Sequence, residues 1–487
     1  MNRLISKYKS IPIQIKASFW FLICTVLQRS ISIITTPIFT RLLTTEEYGQ
    51  YSVFLSWMGI LTCFVTMYIY SGIYPQAIVK FEEERSQYSS AMQGLTIALV
   101  TAWLCVYFIL LNFWNKLFSL NTPQMLAMFV IMWANAIFGF WSAEQRVEYR
   151  YRKLVIVTLI EAILQPALCV VLILLSNNNK VTGLVWGIAI ATFLSYVALL
   201  IRQLIKGKVF FSKKIWSYSL KLAIPLIPHY ISTVLLNSSD RIMIQKLVGD
   251  GQAGIYNLAY TVSICGTLIN QAMLQTLQPW IYQKIKAGQF KDIKKVAYPA
   301  LIVIAVVNLL VILFTPEIIR IFGPPSYYDA IWVMPPIALS VFFMFMYNLF
   351  SAFEFYYEKT VYVSVATMFG AALNVGLNYI FIKVFGYYAA GYTTLICYII
   401  FAMAHYFFMR RICKDEINNV IVYDMKILLL ISVIFIACGF GLMATYNVPI
   451  VRYGIAVLVL VLCIIYRKKI INIFKNFLIK RKVGANA

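Results

Sequence analysis

The chain is organised as apolar runs about 20 residues long, each closed by charged or turn-forming residues. A helix of that length crosses about 30 Å of hydrocarbon. Inside hydrocarbon a backbone must pair its own peptide groups, so these runs read as helices. The apolar–polar alternation of a membrane barrel is absent. Fourteen runs can be drawn, at 17–40, 51–75, 89–114, 124–143, 154–175, 181–201, 217–244, 255–280, 296–315, 330–353, 361–383, 386–409, 425–445 and 449–466. The predicted fold is an all-α polytopic membrane protein with about 14 transmembrane helices. Its 487 residues are 61% hydrophobic and 12% charged, with a mean hydropathy of +0.79, which no soluble globular domain shares.

The basic residues check the count. Of the 42 Lys and Arg, Arg29 and Lys221 are set aside as lying inside runs, and Arg241, Lys383, Lys426 and Arg452, near run ends, are counted with the adjoining loop. The N-terminus, the even-numbered loops and the C-terminal tail hold 32 of the others, and the odd-numbered loops hold 8. Basic residues gather on the cytoplasmic side of membrane proteins, so both termini are expected there. The net charge of +24 follows from the same bias, and nucleic acid is not the expected partner. The first run lacks a small-residue cleavage site and is expected to remain as an anchor. The tail from Arg467 to Lys482 is basic and amphipathic and is expected to lie along the membrane surface.

Several chemistries are missing from the sequence. There is no G-x-x-x-x-G-K-[ST] loop for ATP, no H-E-x-x-H, and only two histidines, His229 and His405. No external loop is long enough to build a catalytic domain, so no enzyme and no metal or organic cofactor is expected. The nine cysteines avoid the external loops, so no disulfide is expected. Transport, channel or scaffold work remains.

A short phrase occurs twice. TRLLTTEEYGQY, Thr40 to Tyr51, aligns with QKLVGDGQAGIY, Gln245 to Tyr256, at an offset of 205. Leu42 meets Leu247, Gly49 meets Gly254, Tyr51 meets Tyr256, and Lys16 meets Lys221. Six spans separate the copies, so both halves keep one orientation. The expected plan is two six-helix lobes, 1–208 and 209–415, related by a parallel repeat around a central cavity, followed by a helical hairpin and basic tail at 416–487. The phrase itself reads as an external corner in which the glycine helps turn the chain.

Polar residues inside the spans are the candidate site. Arg29 falls near the middle of the first span, with Ser32 and Thr36 on its face. An intramembrane arginine usually faces a cavity or a partner, and its guanidinium suits phosphate. A structural ion pair with Glu161 is the other reading. Glu161 could equally be a proton or sodium site, or snorkel to the cytoplasmic edge. In the seventh span Pro225 and Pro228 should bend or break the helix. Asn237, Asp240 and Arg241 follow on one face, with Asp240 and Arg241 serving a structural pair or a cargo gate. His229 reads as structural or as a titrating gate. Gln271, Gln275 and Gln278 form an amide stripe, and the repeat sets Thr66 and Tyr70 on Gln271 and Gln275. Such a stripe binds sugar hydroxyls or holds helices together. Asn374 and Asn378 are a weaker stripe on a span expected to be peripheral.

The chain resembles the polysaccharide transporters of the multidrug/oligosaccharidyl-lipid/polysaccharide exporter superfamily, and more narrowly the Wzx-type O-antigen flippases. The resemblance rests on a first span with a central arginine, Pro37, TRLLTTEEYGQYSV at 40–53, DRIMIQKLVGDGQAGIYNLAY at 240–260, and the 6+6+2 span plan. It implies a flippase in a bacterial plasma (inner) membrane. The implied cargo is an undecaprenyl-pyrophosphate-linked oligosaccharide, moved to the outer leaflet by alternating access. Coupling to a proton or sodium gradient is expected, with membrane lipid and polysaccharide assembly proteins as partners. The alternatives are a multidrug or organic-cation antiporter of the same superfamily and a non-transporting scaffold.

Overall fold

The computed structural model describes residues 13–176 and 179–465; the basic tail at 467–482 lies outside the described residues. No strand occurs among the described residues. The helices are α1 (Ile13–Leu42), α2 (Thr45–Val65), α3 (Ile69–Gly72), α4 (Tyr74–Lys80), α5 (Arg85–Ile109), α6 (Leu111–Phe118), α7 (Thr122–Val147), α8 (Tyr151–Leu175), α9 (Lys180–Gly207), α10 (Lys213–Ala223), α11 (Ile227–Leu247), α12 (Asp250–Ser263), α13 (Gly266–Lys286), α14 (Phe290–Leu313), α15 (Thr315–Phe322), α16 (Ala330–Tyr356), α17 (Thr360–Phe385), α18 (Ala389–Glu416), α19 (Met425–Ala444) and α20 (Pro449–Ile465). Every predicted run coincides with one to three of these helices. Eleven spans among the described residues are long and apolar enough to cross a membrane, with α10 and α11 acting as one. The other three expected spans are the second and eighth, which are interrupted, and α20, which has 17 residues.

The interruptions have local causes. The second span stops at Thr66, and Met67 and Tyr68 adopt left-handed φ of 51° and 47° before α3 begins. Two consecutive non-glycine residues there cannot continue a helix. The eighth span breaks at Ile264–Cys265 between α12 and α13. The seventh tightens to a 3₁₀ turn at Ile224–Leu226, centred on Pro225, with Pro228 in the first turn of α11. The prolines therefore act where the sequence expected.

The chain divides into two compact units. The first comprises Met1–Leu258, Phe322–Tyr327 and Thr367–Tyr387, and the second Ala259–Ile321, Tyr328–Ala366 and Tyr388–Ala487. In the first unit α7, α8 and α9 pack on one another, α1 lies on α8, and α11 lies on α2. In the second unit α16 packs mainly on α18, and also against α13, α14 and α19.

The repeated phrase has a different use from the one its glycines suggested. The corner is made by Leu43–Thr44, and Thr44 caps α2 through a reciprocal box with Glu47, at 3.2 Å and 2.9 Å. Gly49 is already helical. It packs against the second copy of the phrase inside the first unit. A Cβ on Gly49 would sit 1.8 Å from the Asp250 carbonyl oxygen and 3.0 Å from the Gly254 nitrogen. A Cβ on Gly254 would sit 2.1 Å from the Thr45 carbonyl oxygen and 3.0 Å from the Gly49 nitrogen. The offset of 205 maps Thr45 to Asp250 and Gly49 to Gly254, so the contact is reciprocal. Gln50 and Gln245 donate to the two Asp250 oxygens at 3.0 Å and 2.8 Å, which fixes the second corner.

Backbone stands against backbone here, so no rotamer change can relieve an added side chain. Gly49→Val and Gly254→Val are each expected to cost about 1–3 kcal/mol or prevent folding. Gly376→Ala, which would meet nothing within 4 Å, is expected to be neutral or better. Thermal unfolding of the detergent-purified variants checks this, and a wild-type melting temperature for Gly49→Val would refute it.

Candidate functional site

In the first unit the breaks of the second and seventh spans meet. The Tyr68 and Tyr230 rings lie 5.2 Å apart, and a Cβ on Gly72 would fall 2.1 Å from the Tyr230 hydroxyl. His229 neighbours Tyr230 at 5.9 Å, and its buried Nδ1 has no hydrogen-bond partner. Thr66 and Tyr70, expected on one continuous stripe, flank the break, Thr66 as the C-cap of α2 and Tyr70 within α3. Thr66 is buried and its hydroxyl returns to the Thr62 carbonyl at 3.1 Å. The Tyr70 ring seats on Gly139 and lies 6.2 Å from Phe140. The matched stripe across the two halves is therefore not a shared helical face, because the second span breaks inside it.

Further along α11 lies a buried polar network. Asp240 is 1% exposed. Its Oδ2 accepts from the Tyr256 hydroxyl at 2.5 Å, and its Oδ1 accepts from Asn378 Nδ2 at 2.6 Å. Asn378 also donates to Asn374 Oδ1 at 3.1 Å, and Ser239 donates to that same oxygen at 2.9 Å. Both asparagines are 0% exposed. A buried carboxylate accepts here from a tyrosine hydroxyl and an amide, with an amide oxygen close by, a set able to accept a proton or a hard cation. Asn374 and Asn378 were expected to be peripheral. They belong instead to the first unit, through α17, and bond the α11 aspartate. Tyr256 served in the sequence only as an alignment mark. The signal for both was the i, i+4 asparagine pair in an apolar run.

Asn237 and Arg241 stand on the same helix. Asn237 Nδ2 donates to the Thr233 carbonyl at 2.7 Å, and Arg241 Nη1 donates to the Asn237 carbonyl at 3.4 Å. Both are partly exposed. On α1, Thr36 is buried and its hydroxyl returns to the Ser32 carbonyl at 2.7 Å, while Ser32 is exposed. Arg29 lies on α1, and its side chain is outside the described residues. Glu161, on α8, is buried with Tyr196 of α9 as its hydrogen-bond partner, and its Oε2 has none.

The amide stripe lies in the second unit, on α13. Gln275 is exposed, Gln271 and Gln278 are half-buried, and none of the three makes a hydrogen bond. Asn270, one residue before the stripe, is buried and donates to the Val341 carbonyl at 2.9 Å. It is Asn270 that ties α13 to α16, which leaves the glutamines with no such task. Among the described residues no group of three His, Cys, Asp or Glu side chains converges on a metal site.

The family model of polysaccharide biosynthesis proteins matches residues 15–285, more than half of the 487. The MatE model matches residues 225–380. A search of curated proteins gives no match. Among solved structures, the chain is similar to an inward-facing multidrug resistance MATE family transporter of the MOP superfamily, with a TM-score of 0.65 at 12% identity over 80% of this chain and 96% of that one. It is similar to the lipid II flippase MurJ in an inward closed conformation, with a TM-score of 0.65 at 15% identity over 94% of this chain and 100% of that one. A MOP superfamily transporter from Pyrococcus furiosus gives 0.57 at 14% identity over 83% and 96%. At such identities the likeness is one of fold, and it joins the family match and the apolar helices in one conclusion. The chain belongs to the polysaccharide biosynthesis protein family, and its fold is similar to that of solved transporters of the MOP superfamily and of a lipid II flippase.

Proposed function

We propose that this protein moves an undecaprenyl-pyrophosphate-linked oligosaccharide from the cytoplasmic to the outer leaflet of a bacterial plasma membrane, by alternating access of two six-helix lobes, 1–208 and 209–415. The observation that carries the reading is the family match over residues 15–285. Residue chemistry supports it. The cargo's pyrophosphate and glycan must cross hydrocarbon, which requires a wet cavity of cations and amides, while the lipid tail stays outside. Arg29 supplies the cation for the pyrophosphate. Ser32, Thr36, Thr66, Tyr70, Asn237, Arg241 and the glutamines of α13 supply hydroxyls, amides and charge for the glycan. The three glutamines are the best supported of these, because an amide in an apolar helix with no internal partner needs one.

Asp240 is the coupling residue in this reading, with Glu161 and His229 as gate candidates. Loading Asp240 with sodium or a proton removes a buried charge and changes how α11 is held to α17. Both termini face the cytoplasm, as the charge bias requires. The second reading, a multidrug or organic-cation antiporter, draws on the MatE match at 225–380.

Arg29→Ala and Arg29→Glu are expected to abolish surface glycan in a strain that depends on this chain, while the protein remains in the membrane. Intact glycan in both variants removes Arg29 from the site, and export of organic cations without lipid-linked glycan favours the antiporter. The coupling residue has its own test. A ligand that binds only the folded state stabilises it by about 2.7 kcal/mol at 100 times its dissociation constant. Sodium, or failing that a fall in pH, is expected to raise the melting temperature of the wild type and to leave Asp240→Asn unmoved. Equal responses in both proteins would exclude Asp240.

A further inference from the structure

Each unit buries a glutamate in the last turns of a long helix and bonds it to a neighbouring helix. In the first unit Glu144 of α7 is 6% exposed. It accepts from Gln203 of α9 at 3.0 Å, and Gln93 donates to Gln203 at 2.7 Å. Lys206 stands 3.6 Å from the other Glu144 oxygen. In the second unit Glu354 of α16 is 0% exposed and meets His405 of α18, also 0% exposed, at 2.7 Å between Oε1 and Nδ1. Buried phenylalanines stand four residues before both glutamates, Phe140 and Phe350. The partner differs in kind. An amide carries no basic nitrogen, whereas an imidazole carries one.

We propose that Glu354 and His405 form a buried proton-binding site that the two units do not share. At 2.7 Å one proton must lie between Nδ1 and Oε1 in any charge state. With no other proton the pair carries a net negative charge. One more proton, on Nε2 or on Oε2, makes it neutral. Neither of those two atoms has a hydrogen-bond partner. Burial penalises net charge, so the pair closed from water holds the extra proton, and exposure to water releases it.

The walls add no countercharge. Tyr347 stacks on the imidazole at 5.3 Å, and Phe401 and Phe408 meet it edge-on at 4.6 Å and 6.4 Å. Around α16, titratable side chains among the described residues include Tyr406 of α18 against Phe350, Tyr282 of α13 against Tyr356, Tyr423 before α19 against Phe350 and Phe353, and the buried Cys413 of α18 near Tyr357, Tyr406 and Tyr423. Tyr298 of α14 stands behind Tyr423. Beyond this end, Lys359 and Glu416 pair at 3.3 Å, and Arg410 is bonded to the Val420 carbonyl and Asn419. The site's role in transport rests on the ion-coupled reading above; its proton binding does not.

The purified protein labelled at histidine tests the binding. The chain has two histidines, so the His405 imidazole signal is the one missing from His405→Gln. That variant places at 405 the amide that Gln203 provides in the first unit, and it is expected to fold. The expected result is a His405 signal that changes with pH in the wild type, with a response that Glu354→Gln moves at least about tenfold in proton concentration. A His405 signal that does not titrate, or that Glu354→Gln leaves unmoved, overturns the proposal. In vesicles loaded with the lipid-linked saccharide, a pH gradient is expected to speed flipping several-fold in the wild type and not at all in either variant. A full gradient response in His405→Gln overturns the transport role. A wild type that flips no saccharide refutes the function proposed above, and the titration alone then decides the proton site.

Discussion

Hydrocarbon offers a peptide group no water, so every irregularity in these helices must be repaired from within the chain. The chain breaks its helices at Thr66–Tyr68, Ile224–Leu226 and Ile264–Cys265, and each break has a hydroxyl near it. Thr62 and Thr66 return theirs to the Met58 and Thr62 carbonyls at 2.6 Å and 3.1 Å. Ser232 returns its own to the Pro228 carbonyl at 2.8 Å, and Thr267 to the Ile264 carbonyl at 2.6 Å. Broken helices cost stability, and transporters keep them where backbone lines a cavity. The tyrosine cluster of the first unit therefore belongs to the same economy as the breaks, since Tyr68 and Tyr230 each stand within a few residues of one.

The architecture was legible because hydrophobic length is a property of single residues added along the chain. All predicted runs became helices, most within a turn of their expected ends. The proline effect at Pro225 was also legible, because proline acts on its own backbone. What the sequence hid depends on partners. The break after Thr66 carries no glycine or proline; Met67 and Tyr68 take left-handed geometry under packing, and nothing in their side chains announces it. Asn374 and Asn378 were visible as a pair, but not that Asp240 lay opposite them. Gly49 looked like a turn residue because glycines often are, while its real task is a close approach to a segment 200 residues away.

The two buried glutamates sit in similar surroundings and have partners of different kind. Glu144 and Glu354 occupy comparable places on α7 and α16, and each reaches the helix its own helix packs on most closely after the turn. The difference lies in one partner, Gln203 or His405.

The glycine contact carries a historical consequence. Residue 49 meets 250 and 254, and residue 254 meets 45 and 49, so each copy of the phrase gives the other the same surface that it receives. That is the signature of an isologous interface, the kind that joins identical subunits across a twofold axis. A six-helix chain carrying one such phrase would dock on its own twin through it. The joint between the two corners thus has the form of a homodimer seam drawn within a single chain.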